Sequence, residues 1–286
     1  MDEEKKIAEP WAGLYARPWA LVSGASSGIG LAISRELARL GYPVLLVSNE
    51  EEKLKVCASE IEKTYSVKAI HLYMDLAQKD SAGKVFDYCE KNCIEIKILV
   101  NCAGIFFFRD VTDTAIERIE TMINLHILTP TLLCRSFAEK MLRSDEPPGR
   151  QKGYILNIAS IAAWMMMPGL TFYNATKSYL RCFSRAMRNE VLDKGISITT
   201  ICPGAVATGL YGLAPHLMKL GIRAGIILTP ERLAAKVIKK MFRKKKEYIP
   251  GGLLNRFFIF IVQALPECLV RRFKRTIDER MSGARK

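Results

Sequence analysis

Trp19-Ala20-Leu21-Val22-Ser23-Gly24-Ala25-Ser26-Ser27-Gly28-Ile29-Gly30 is the stretch on which the reading of the fold turns. Its first five residues form a short apolar run, the pattern of a strand buried on both faces of a parallel sheet. Apolar residues at Ile29, Ile33, Leu37 and Leu40 then recur at helical spacing until Gly41, which predicts a helix over 29–40. Between strand and helix stand Gly24, Gly28 and Gly30. Glycine lets the backbone turn tightly and approach a pyrophosphate, and the free N–H groups of the helix that follows point at its negative charge. The spacing is G-x-x-x-G-x-G and not the G-x-G-x-x-G of other dinucleotide folds, so taken alone a plain glycine turn stands as the alternative.

Outward from this unit the chain keeps alternating. Strands are expected at 43–47, 68–74, 96–100, 154–158, 197–201 and 247–249, with helices at 50–65, 83–91, 116–144, 173–193 and 230–242. Repeated strand–helix–strand units with short links predict a single α/β domain, a doubly wound parallel sheet of about seven strands flanked by helices. Ligands of such sheets bind beyond the C-terminal strand ends. The expected division is an N-terminal segment 1–18, a nucleotide-binding and catalytic domain 19–252, and a basic amphipathic extension 253–286.

Composition excludes several classes. The chain has 286 residues, 49% hydrophobic and 25% charged, ordinary values for a globular protein with a sizeable core. The N-terminus mixes acidic and basic residues without an apolar stretch, unlike a secretory signal. Eight scattered cysteines show no C-x-x-C and no His partner at ligand spacing, so free thiols in a reducing cytoplasm and no metal are expected. The net charge of +14 is concentrated in the tail, where residues 236–286 hold fifteen Lys/Arg against four Asp/Glu. That basicity says little about the core's ligand, and without a reader fold it predicts no nucleic-acid partner.

The chemistry centres on Tyr173-Asn174-Ala175-Thr176-Lys177. Positions i and i+4 share a helix face, and a neighbouring ammonium favours the phenolate form of a tyrosine. A solvated helix face is the default reading of such a pair. Other motifs stand in order around it: Asn101-Cys102-Ala103-Gly104 after the fourth strand, Asp75-Leu76 after the third, Asn124 in a long helix, Ser160 thirteen residues before Tyr173, and Pro203-Gly204-Ala205-Val206-Ala207-Thr208 after the sixth. With the Ser23–Gly30 turn, this set resembles the classical short-chain dehydrogenase/reductase family over residues 19–251, with Cys102 in place of one family asparagine.

The resemblance implies a Rossmann-type fold and an NAD(P)-dependent oxidoreductase acting on a ketone or secondary alcohol. It implies Tyr173 as general acid/base and Lys177 as the group that lowers its pKa and holds the nicotinamide ribose. It implies Ser160 as hydrogen-bond donor to the substrate oxygen and Asn124 as holder of a relay water. The cofactor contacts it implies are Gly24, Ser26, Ser27, Gly28, Ile29 and Gly30 at the turn, and Asp75 and Leu76 at the adenine. Asn101, Ala103, Gly104, Pro203, Gly204, Val206 and Thr208 complete the set with Tyr173 and Lys177. Singly, Ser160 also reads as a strand-end cap and Asn124 as a helix residue satisfying a buried carbonyl. His71, His126 and His216 read as surface or core residues.

The second strand leads into Ser48-Asn49-Glu50. An acid at its end would favour NAD and an arginine NADP. Ser48 and Asn49 are small donors that do not repel a 2′-phosphate, which favours NADP, with NAD the alternative. Glu50–Glu52 argue the other way, or form the acidic first turn of the next helix. The segment 210–228 and Trp164-Met165-Met166-Met167 suit an apolar pocket for a steroid-like or 3-oxoacyl substrate, or plain core packing. The extension LLNRFFIFIVQALPECLVRRFKRTIDERM is too short in its apolar run to span a bilayer. It reads as a helix on an anionic membrane surface, a dimer contact or a lid. The chain is therefore expected in the cytoplasm, with the inner face of a membrane as one place for its tail, and as a homodimer or homotetramer. The rival reading is a dinucleotide-binding sensor or partner protein that has lost catalysis; retention of Asn124, Ser160, Tyr173 and Lys177 together argues against it.

Overall fold

Val44–Ser48, Ile96–Asn101, Gly153–Ile158 and Ile196–Ile201 are buried at every position, as strands covered by helices on both faces must be. In the computed structural model, which describes residues 17–144, 146–147, 149–211, 215–224 and 227–283, they are β2, β4, β5 and β6. β1 (Trp19–Ser23), β3 (Ala69–Tyr73) and β7 (Glu247–Tyr248) complete a seven-stranded sheet in the order β3-β2-β1-β4-β5-β6-β7. Every pairing is parallel. The expected strands are all present, with ends shifted by a residue or two.

Alternation along each strand divides the core in two. Ala20, Val22, Leu46, Val100 and Leu156 face one cluster, closed by α1 (Gly28–Arg39), α2 (Glu51–Tyr65) and α8 (Pro230–Phe242). Leu21, Leu45, Leu99 and Ile155 face the other, closed by α3 (Ser81–Lys91), α5 (Thr129–Leu142) and α6 (Thr171–Val191). Chain order reverses between β1, which runs on to β2, and its other neighbour β4. The loops leaving β1 and β4 therefore diverge and open a crevice.

The helix expected over 116–144 differs. It is α4 (Ile116–Ile123), a π-helical turn Asn124–Leu128, then α5 with Pro130 in its first turn. Proline has no N–H to bond the carbonyl four residues back, and its ring crowds that carbonyl. Widening the preceding turn relieves the clash. The Thr129-Pro130 dipeptide carried this signal in the sequence.

Past the sheet lie α7 (Pro215–Arg223), α9 (Gly252–Gln263) and α10 (Glu267–Gly283). The extension folds back on the domain: α9 packs on the 3-10 turn Ile161–Trp164, and Lys274 of α10 pairs with Asp110 at 2.8 Å. Among the described residues no helix is long and apolar enough to cross a membrane.

Candidate active site

The loop after β1 is clasped to the loop after β4. Ser23 Oγ accepts from the Cys102 and Ala103 amides at 3.0 and 3.1 Å. Gly24 has φ +66°, and a Cβ there would stand 2.8 Å from the Ala103 Cα; one at Gly30 would stand 2.2 Å from the Gly24 carbonyl oxygen. Only glycine permits both approaches. They leave α1 starting at the crevice behind an extended Ser27 whose side chain makes no cap hydrogen bond, so the first N–H groups of the helix are free for an anion.

A cavity of about 350 Å³ runs along the strand ends. Gly24, Ser26, Ser27, Gly28, Ile29 and Gly30 form its middle. Ser48, Asn49, Asp75 and Leu76 line one end, and Ala103, Gly104, Ser160, Tyr173, Lys177, Pro203 and Thr208 the other. Hydroxyls at one end, a bare helix N-terminus in the middle and an ammonium at the other match a long ligand with a negatively charged centre. The residues present fit a dinucleotide.

Four expected contacts stand back from the wall. Asn101 supports the sheet: its Nδ2 donates to Asn157 Oδ1 at 2.8 Å, and Asn157 donates to Ser184 at 2.8 Å. Val206 is buried in the core and bridges to Leu228. Gly204 lies against Ile161 and Asn255. Asn124 sits on the π turn, half-buried, while Thr121, Leu125 and His126 reach the cavity from the same helix.

At the end opposite Ser48 and Asn49, Tyr173 and Lys177 are both 5% exposed, and the Lys177 ammonium lies 5.7 Å from the Tyr173 ring centre. It donates to the Ile158 carbonyl at 3.0 Å. Burial lowers the Lys177 pKa to about 8, against a smaller opposing pull from the Cys102 and Cys202 thiols. Ser160 faces the cavity and also accepts from the Ala162 amide at 3.1 Å, so it is both cap and wall residue.

His126 is a core residue, one of the two places the sequence allows it, and its contacts there are specific. Its Nε2 accepts from the Ile105 amide at 3.0 Å, so Nδ1 carries the proton and donates to Thr176 Oγ1, also at 3.0 Å. Thr176 in turn donates to the Tyr173 carbonyl at 3.0 Å. Burial, and secondarily the Lys177 charge, hold the His126 pKa well below its ordinary value. The imidazole ties the loop after β4 to the helix that carries Tyr173. Sequence gave no sign of this, because the π turn decides which way residue 126 points.

Apolar packing behind the cavity comes from an unexpected quarter, of whose residues Ile105 alone reaches the wall. Ile105, Phe106, Phe107 and Phe172 pack around Tyr173, with Phe106 edge-on at 5.1 Å. Trp164 instead stacks under Arg181 at 4.1 Å, and Met166 is 80% exposed. Of the segment 210–228, Leu210 lines the cavity, next to Gly209 before it. Among the described residues no His/Cys/Asp/Glu group could hold a metal.

A 3-2-1-4-5-6-7 parallel sheet with a glycine cradle at its switch point defines a nucleotide-binding α/β protein. The short chain dehydrogenase family model matches residues 18–242. The chain belongs to that family of oxidoreductases. It is 38% identical over 225 residues to the very-long-chain 3-oxoacyl-CoA reductase-A of Danio rerio, covering 76% of this chain. The match spans 65% of that protein's length, under two thirds. A short-chain dehydrogenase from Sphingobium yanoikuyae in complex with NADPH superposes with a TM-score of 0.73 at 25% identity, covering 85% of this chain and 92% of that one. A 7beta-hydroxysteroid dehydrogenase superposes with a TM-score of 0.76 at 26% identity, covering 90% and 96%.

Proposed function

We propose that the protein reduces a ketone on a hydrophobic substrate, of the 3-oxoacyl or steroid-like kind, with NADPH as cofactor. The observation that carries this is the convergence of Ser160, Tyr173 and Lys177 on the cavity that also holds the glycine cradle and the N-terminus of α1. Two similarities support the choice of ligands: to a reductase named for 3-oxoacyl-CoA and to a structure solved with NADPH. Bound nicotinamide supplies the hydride. Tyr173 gives its phenolic proton to the carbonyl oxygen as negative charge develops there, and Ser160 donates a hydrogen bond to the same atom. Lys177 stabilises the tyrosinate left behind and holds the nicotinamide ribose. Phe106 and Ile105 shield the reacting carbonyl from water and give an acyl or ring system an apolar wall.

The test is ketone-dependent NADPH oxidation by purified protein. Tyr173→Phe keeps the ring and its packing but removes the proton, so the rate falls by about 10²–10⁴-fold while NADPH still binds. Unimpaired turnover in that variant removes the mechanism. Tight cofactor binding without turnover on any ketone favours the non-catalytic sensor instead.

The extension supports a second reading, docking on an anionic bilayer. On α9 Phe257 and Phe260 are 62% and 67% exposed, and Arg256, Arg271 and Arg272 lie on the same two helices. An apolar face with a cationic rim suits an interfacial helix. Co-sedimentation with phosphatidylserine-containing vesicles, lost in Phe257→Ser/Phe260→Ser, is the expected outcome; equal binding by that variant removes the reading.

A further inference from the structure

We propose that His126 is a positioning residue for the proton transfer at Tyr173, acting through Thr176 and the Ile105 amide. The proposal rests on the reading of Tyr173 as the proton donor. Tyr173 is the third residue of α6, in a first turn that has no side-chain cap, since Leu170 stands at the N-cap. The first N–H groups of a helix have no partner within it, and helix ends fray. A proton donor placed there needs a brace from outside its own helix.

The brace is a chain of hydrogen bonds. His126 Nδ1 donates to Thr176 Oγ1, and Thr176 donates to the Tyr173 carbonyl, each at 3.0 Å. On its other side the imidazole accepts from the Ile105 amide, also at 3.0 Å. One ring thus fixes both the backbone that carries the phenol and the backbone that carries Ile105, the apolar residue on the cavity wall.

The ring is enclosed. It is 1% exposed and stands edge-on to the Tyr173 ring at 5.8 Å, and a Cβ on Gly104 would come within 3.0 Å of its Nε2. Gly104 therefore admits the imidazole, and the π turn aims it. Both nitrogens are engaged by uncharged partners, so the ring adds no charge beside Lys177 and works by geometry. Asn124, where the family resemblance expects help from this helix, is half-buried and off the cavity wall. The help comes two residues later.

Steady-state kinetics of ketone reduction, with NADPH affinity measured calorimetrically, test this on the wild type and four variants. Thr176→Val keeps the shape of the side chain and breaks the chain of bonds at its middle. Its kcat should fall about tenfold to a hundredfold, with KM for the ketone and the NADPH dissociation constant within about twofold. Thr176→Ser keeps the hydroxyl and should hold kcat within about threefold of the wild type. His126→Leu should also lower kcat, and His126→Leu/Thr176→Val should be no slower than His126→Leu alone, because the same link is already broken. A Thr176→Val enzyme with wild-type kcat, a serine variant as slow as the valine one, or losses that multiply in the double variant overturn the positioning role while leaving Tyr173 as proton donor. A wild type that oxidises NADPH with no ketone overturns the reading of Tyr173, and this proposal with it.

Discussion

The loops leaving β1 and β4 and the segment joining β6 to α8 border one cavity, yet they are built differently. The first pair is locked by backbone contact: Ser23 bonds two amides of the opposite loop, and Gly24 lies against the Ala103 backbone. In the segment after β6, the Ala207 N–H donates to the Leu228 carbonyl at 2.8 Å, and helix α7 leaves Leu217 and Leu220 exposed. Ser160, Tyr173 and Lys177 enter the cavity from the stretch after β5, and the segment after β6 contributes Thr208, Gly209 and Leu210.

Adding a single methyl on each side breaks the comparison most sharply. Gly24→Ala meets backbone and a positive φ together, and should cost about 2–4 kcal/mol. Gly209→Ala meets nothing within 4 Å and should stay within about 0.5 kcal/mol. Urea unfolding of the two variants measures the contrast, and equal costs would end it.

Two buried bases next to the clasped loops titrate out of their usual range. Lys177, lowered to about 8, loses its ammonium above that pH. kcat/KM for ketone reduction, which reports the free enzyme, should therefore fall about tenfold per pH unit above the break. A plateau to pH 10 would show that this charge is not used.

Protonation of His126 gives the smallest effect, and it appears in stability. Its folded pKa is depressed well below 6.5, so on acidification the unfolded chain takes up a proton that the native state refuses. The contribution is intact above pH 6.5 and declines as the pH falls below it. Denaturant midpoints at pH 7 and pH 5 should converge in His126→Gln relative to the wild type; an unchanged gap would place the acid sensitivity elsewhere.

Much of this was legible in the residues. Local periodicity and the Ser23–Gly30 turn were enough for the strand–helix order, because burial on both faces demands continuous apolar strands. Tyr173 and Lys177 were legible too, since one helical turn fixes their adjacency. His126 was not. Its direction depends on the π turn before Pro130, and its partners Ile105 and Thr176 come from two other parts of the chain. Trp164 misled for a similar reason: its apolar ring is covered by Arg181, a contact formed only when α6 packs beside it.

The amino-acid order thus determined what is local in the chain: the strand–helix alternation of the doubly wound architecture, the glycine cradle and the one-turn spacing of Tyr173 and Lys177. Tertiary structure alone decided which side chains share the cavity. It turned Glu50 toward Ser26 and seated His126 behind Tyr173, because these contacts join residues distant in sequence and no local preference encodes them.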